Sequence, residues 1–331
     1  MDAQLQQRLM LYAGLIPGAI SFTLLLAAWY LHALRDSRTD LDDDDTPRTT
    51  SQGPRWLLPM LIAVGVAGAE YAQNDTFLLW PDDNTYRYTH AALLIALAAT
   101  AEGLVRFPLF VAVALRLFAY AGAFLMLTEG YADTVMGGSA NLIAYTLFAA
   151  IAATLVATAA DQNAQLNQHQ RPLGWLDAIT WCLILAATMP VLLANHFALG
   201  AMYPAGAISV LVAATLVGLI FRHLSLARGS ITMLVGFFMT MLIGSLVQTG
   251  ADNLPSILLA ATLLLVTLIP TRTESRTKRL LTRVVLIALI AGAAMTTIHA
   301  PNLSFWPGND ASDQQSADDD AIEDFYNNLE Y

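Results

Sequence analysis

Four ionisable side chains set in apolar surroundings carry the chemistry this sequence could do: Arg116, Glu70, Glu102 and Arg106. Arg116 stands near the middle of FPLFVAVALRLFAYAGAFLML, residues 107–127, a run long enough to cross a bilayer. A guanidinium at that depth is costly unless it faces protein, water or a counter-charge, so such groups usually mark substrate or ion paths. It lies ten residues beyond Arg106, roughly 15 Å along a helix. Glu70 follows Trp56 by fourteen residues, which places it roughly 21 Å from the same side. Long side chains can bridge that difference between neighbouring helices. Arg116 and Glu70 are therefore the expected buried intramembrane charge pair, lining a path or fixing helix register. Glu102 and Arg106 are four apart and suit a local ion pair if one helix runs through both.

Other residue patterns carry less. His90, His196 and His299 fall towards one side of the chain's apolar runs, and His32, His169 and His223 towards the other. No two have the i, i+3 or i, i+4 spacing that puts both on one helical face, and there is no HExxH or CxxC, so neither a metal nor another cofactor is expected. Segment 73–86 combines Asp75, Asp82 and Asp83 with aromatics. Acids in such a loop can serve as a general base or hold a divalent ion, though a polar turn is the simpler reading. The DLDDDD run at 40–45 reads as a solvated linker, because a flexible acid run has no fixed coordination geometry. Walker A, GxSxG and nucleotide fingerprints are missing from the sequence, which argues against an ATP-driven pump. No catalytic residue can be named, and the sequence leans away from an enzyme.

The elements that must position these groups follow from composition. The chain has 331 residues, 56% hydrophobic and 13% charged, against about a quarter charged in soluble domains. Its mean hydropathy is +0.54. Apolar runs recur at about 10–33, 56–72, 87–104, 107–127, 139–160, 176–198, 202–221, 230–249, 254–270 and 284–300. The fold class is all-α: a polytopic integral membrane helix bundle of about ten transmembrane helices. Gly14, Pro17 and Gly18 predict a kink or a close helix contact in the first span. The tetrapeptide GAIS occurs at 18–21 and at 206–209, a match expected by chance in so apolar a chain. Cys182 is the only cysteine, so no intrachain disulfide can form.

Basic residues orient the bundle, because cytoplasmic loops collect Lys and Arg. With the N-terminus outside, thirteen of them fall in cytoplasmic segments: Arg35, Arg38, Arg48, Arg55, Arg106, Arg171, Arg222, Arg228, Arg272, Arg276, Lys278, Arg279 and Arg283. Only Arg8 and Arg87 fall outside, and Arg116 lies within the membrane. The expectation is N-out and C-out, in a bacterial cytoplasmic (inner) membrane. Residues 1–300 then form the bundle, with a polar cytoplasmic loop at 34–55. Residues 301–331 form an acidic, largely disordered tail on the outside, with eight acids and no base. Within it a short amphipathic helix at 316–329 would align Ile322, Phe325, Tyr326 and Leu329, a face suited to a protein partner. Lipid is the expected surrounding. Nucleic acid is not a partner, since no basic stripe exists to neutralise phosphates. The features fit a secondary transporter or permease-like protein. The alternatives are a membrane enzyme acting on a lipid-linked substrate, or a structural or accessory subunit of a membrane complex.

Overall fold

The computed structural model describes residues 7–39, 55–74, 87–131, 138–170, 174–195, 197–221, 226–249, 254–269 and 276–299. These are 93% helical with no strand. Helix α1 opens as a π-helical stretch, Leu9–Leu15, and continues as Ile16–Thr39. Then come α2 (Leu57–Asn74), α3 (Tyr88–Leu104), α4 (Leu109–Thr128) and α5 (Ser139–Gln170). The second half holds α6 (Gly174–Ala194), α7 (Ala198–Phe221) and α8 (Ser230–Thr249). Helix α9 runs Leu254–Ala261 and tightens to a 3-10 stretch, Thr262–Leu268; α10 is Arg276–His299. The ten helical segments fall where the ten apolar runs lie.

Seven of them, α1, α4, α5, α6, α7, α8 and α10, are long and apolar enough to cross a membrane. Helices α3 and α9 are shorter, and α2 carries Glu70, Gln73 and Asn74 in its last turns. Large apolar side chains point outward along the bundle, Phe110, Phe118 and Phe148 among them, each about three-quarters exposed. Such a belt is stable against lipid and not against water. The chain is a multi-pass helical membrane protein.

Several boundaries differ from the sequence reading for local reasons. Just before Pro17, where a kink or a close helix contact was expected, the helix is π-helical over Leu9–Leu15. At Pro190, by contrast, α6 continues unbroken. Helix α3 stops at Leu104, and Val105 is extended (φ −115°, ψ 137°). Pro108 forces that break, because in a continued helix it would offer no N–H to the Leu104 carbonyl and its ring would clash with that carbonyl. Helix α5 runs ten residues past 160, carrying Asp161 inside a helix. Helix α10 begins at Arg276, eight residues before the expected 284, so Arg283 is helical and buried. Of the polar connections, 40–54 and 75–86 lie outside the described residues, as does the whole tail 301–331 with its proposed docking face.

Two helices form the inner pillars. Helix α7 packs against α1, α2 and α6, and α8 against α3, α4 and α5. In α8, 83% of the most apolar stretch is buried, against 17% in α10. Close approach on the α7 side depends on small residues, which let backbones meet in the absence of a hydrophobic drive between helices in lipid. A Cβ on Gly206 would collide with the Gly65 carbonyl, and one on Gly65 with the Gly206 carbonyl. Gly18 lies within van der Waals reach of Ser209, so the two GAIS segments touch each other. On the other pillar, Gly236 of α8 leaves the space that the Tyr120 ring of α4 fills.

Candidate functional site

Antiparallel alternation brings the starts of the even-numbered helices and the ends of the odd-numbered ones to one end of the bundle. Arg116 reaches towards that end. On a helix the Cα–Cβ bond tilts towards the N-terminus, so a side chain two turns into α4 extends back to where α4 begins. There it meets Glu102, near the end of α3, and Asp161 of α5.

The contacts are close and numerous. Arg116 Nε donates to Glu102 Oε1 at 2.9 Å and to Oε2 at 3.2 Å, and Nη2 donates to Oε2 at 2.8 Å. Nη2 also donates to Asp161 Oδ2 at 2.9 Å, and Nη1 to Thr158 Oγ1 at 3.1 Å. Arg116 and Glu102 are 2% and 3% exposed, and Asp161 6%. Fork-like pairing of this kind fixes both distance and plane. It also satisfies the condition under which a buried guanidinium is tolerated.

The start of α8 completes the shell. Thr232 Oγ1 donates to Glu102 Oε2 at 2.8 Å, and Tyr120 Oη donates to the Thr232 carbonyl at 2.8 Å. The backbone N–H of Arg228 donates to Asp161 Oδ1 in a short contact, and Gln165 Nε2 donates to Oδ2 at 3.1 Å. Two carboxylates thus face the N-terminus of α8, the positive end of its dipole. Arg228 takes a left-handed backbone (φ 58°) and Gly229 a φ of 21°. At Gly229 a Cβ would collide with the Ala99 carbonyl of α3. The turn is therefore pressed onto α3, and Asp161 holds its strained residue in place.

This geometry corrects the expected pairing. Arg116 is paired, but with Glu102 and Asp161 in place of Glu70. Glu70 would require the guanidinium to extend deeper along α4, against the tilt of its Cβ. It is 1% exposed, with Thr89 and His90 as polar neighbours, and neither carboxylate oxygen accepts a hydrogen bond. The local pair Glu102–Arg106 does not form either. Pro108 ends the helix before Arg106, so i, i+4 geometry never arises, and Glu102 turns to Arg116. Asp161 and Thr158 were not singled out from the sequence. Their signal was the spacing of Thr154, Thr158, Asp161 and Gln165, a polar stripe at helical period on an otherwise apolar helix.

The network opens onto a cleft of about 290 Å³, near the lower end for small-ligand pockets. The α3–α4 connection forms one wall, with Val105, Arg106, Phe107 and Leu109. Helix α5 forms another with Thr158, Asp161, Gln162 and Gln165, and Arg228, Glu102 and Arg116 line it as well. Arg55, 7% exposed, belongs to the same electrostatic group. Its pKa is lowered to about 10, first by burial, then by repulsion from Arg228 and Arg106, against attraction to Asp161.

A second ion pair lies across α5, with the Arg283 side chain buried and that of Asp177 26% exposed. Arg283 Nη1 donates to Asp177 Oδ1 at 2.8 Å and to Thr180 Oγ1 at 2.9 Å. Beside it, Asn163 Nδ2 donates to the Thr267 carbonyl at 3.2 Å, tying α5 to α9. The void there is about 20 Å³, room for about one water. At the opposite end of the bundle Arg87 and Glu129 pair at 3.4 Å, with the Glu129 side chain 77% exposed.

The helices and the charged end define a polytopic membrane protein with a buried Arg–carboxylate network at the wall of a polar cleft. No protein-family model, curated protein or solved structure matches the chain.

Proposed function

We propose that the protein is a permease-like carrier of a small polar solute, with the cleft as the entrance from one side and Arg116, Glu102 and Asp161 at its floor. The observation that carries this reading is the cleft itself, which reaches an intramembrane arginine held by two carboxylates. A network used only to lock helices would do its work as well with no cavity against it. Residues on α3, α4, α5 and the start of α8 compose the floor, so any rocking of one helix group against another would re-pair these charges. Ion-pair exchange of this kind supplies a bistable element of the sort that alternating access needs. On the orientation expected from the basic residues, the entrance faces the cytoplasm of a bacterial inner membrane.

The test is accessibility from both faces. Thr158→Cys, made together with Cys182→Ser, places one thiol on the floor. In membrane vesicles of each orientation, an impermeant thiol reagent is expected to react from the cleft side and, in a slower fraction, from the far side. Reaction from the cleft side alone, at every temperature tried, would leave the network a helix lock and end the permease reading.

A further inference from the structure

We infer that Glu70 is a proton-binding site, reached by way of His90 from the end of the bundle opposite the cleft, and that it takes up the proton whose movement drives the carrier. The site stands on its own geometry, and the coupling role rests on the reading of the protein as a permease.

The setting of Glu70 carries the inference. It lies in the last turns of α2, 1% exposed, and among the described residues neither carboxylate oxygen accepts a hydrogen bond. The hydroxyl of Thr89, buried in the first turn of α3, stands close by without meeting hydrogen-bond geometry. An ionised carboxylate taken out of water needs donors or a counter-charge to replace its hydration. The elements packed on α2 supply little of either. They are α1, α3, α7 and α8. At this end their titratable groups are Arg8 and Tyr12 of α1, Tyr88 and His90 of α3, and Tyr203 of α7, with none on α8. The Tyr12 ring meets Tyr71 of α2 at 5.1 Å, and Arg8 lies a turn further out. Tyr88 packs against Tyr203 at 5.2 Å, and Arg87, just ahead of α3, turns to Glu129. His90 is the group whose charge acts on Glu70.

A single proton resolves the setting. It makes Glu70 a neutral acid that can both donate and accept. Moved to His90, the same proton leaves an ion pair in its place. Half-buried polar side chains lead outward from the acid: Gln73, one turn on along the same face of α2, and His90 next to Thr89. Carboxylate and imidazole chains of this kind carry protons inside membranes. The step needs no other reactant. A proton from the far-side solution binds the imidazole, passes to a Glu70 oxygen, and leaves His90 neutral for the next. Glu102 follows His90 by twelve residues, roughly 18 Å along α3. Glu70 therefore exchanges no proton directly with the Arg116 network. What joins the two is α3 itself, with Thr89 and His90 at one end and Glu102 at the other. A proton gained at one end and an ion pair exchanged at the other would bias the same helix.

The experiment uses the full-length chain in a neutral detergent, with infrared spectroscopy reading the carbonyl stretch of protonated carboxyl groups. Near neutral pH the solvent-facing acids are ionised and silent in that band. Wild type is expected to show a band that Glu70→Gln lacks, and that fades reversibly as the pH is raised. Glu70→Gln resembles the loaded acid in shape and charge, and its unfolding temperature checks that the fold is kept. His90→Gln should keep the band, because the proton then has one place to rest. The shift of that band on transfer to heavy water should slow about a hundredfold in His90→Gln, the loss of a positioned relay. Coupling is read in vesicles carrying Thr158→Cys with Cys182→Ser. Their labelling from the far side should vary with far-side pH beyond the response of the thiol itself, and adding Glu70→Gln should abolish that variation. The proton site is overturned if wild type and Glu70→Gln share the same carboxyl band at every pH tried. The His90 route is overturned if His90→Gln exchanges as fast as wild type does. The band without two-sided labelling would remove the permease reading alone. Two-sided labelling without the band would remove the proton site alone.

Discussion

Replacing Arg116 by Met would leave Glu102 and Asp161 buried on either side of a methyl group, each short of the donors that now hold it. Breaking one side of a buried pair costs about 3–5 kcal/mol, most of it the desolvated charge left behind. The expected result is a large fall in unfolding temperature in detergent. Glu102→Gln should also destabilise, because Thr232 and Arg116 both donate to the oxygen it alters. Glu70→Gln should be neutral or mildly stabilising, since neither oxygen of Glu70 accepts a bond that the amide would lose. Thermal unfolding of the three variants side by side decides which carboxylate belongs to Arg116. A drop for Glu70→Gln as deep as for Glu102→Gln would contradict the pairing described here. The charge in the middle of residues 107–127 was legible from sequence, and so was its need for a partner. The partner was not. Choosing it required the direction of the Arg116 side chain along α4 and the break that Pro108 makes before Arg106, neither of which a depth estimate contains.

At the level of elements, the apolar runs located the helices well because lipid demands about twenty consecutive apolar residues and little else. Where a helix carries polar residues past the bilayer edge the run ends before the helix does, as with α5 beyond 160 and α10 before 284. Those extensions hold Asp161 and Arg283, so the same rule that found the helices hid half of their ion pairs. Neighbour relations were hidden too, since an all-apolar helix does not announce which face meets another. Glycines mark the faces instead. Gly206→Val should push α7 from α2 and cost about 1–3 kcal/mol as overpacking, with nearby backbone unable to yield on either side. Gly292→Ala on α10, where a Cβ meets open space, should cost nothing. The pair of unfolding temperatures tests whether close backbone contact, and not glycine as such, holds the α2–α7 crossing. Gly229→Ala belongs with the first: it should shift the start of α8 off α3 and loosen Asp161 from the Arg228 N–H.

For the whole molecule, the two ends differ in kind. One end collects Arg55, Arg106, Arg116, Arg228 and Arg283 with the carboxylates of Glu102, Asp161 and Asp177, while Arg87 and Glu129 mark the other. Basic residues resist translocation during insertion, so the end rich in arginine is expected to stay cytoplasmic. Orientation can therefore be read from which end a reagent outside the cell reaches first. Two single-thiol variants in a Cys182→Ser background measure it. Val105→Cys lies on the exposed α3–α4 connection beside the cleft, and Glu129→Cys at the far end of α4. On intact cells an impermeant maleimide is expected to label Glu129→Cys and to reach Val105→Cys only after the membrane is breached. The reverse pattern would turn the bundle over, and the cleft would then open to the external medium with its charge balance unchanged.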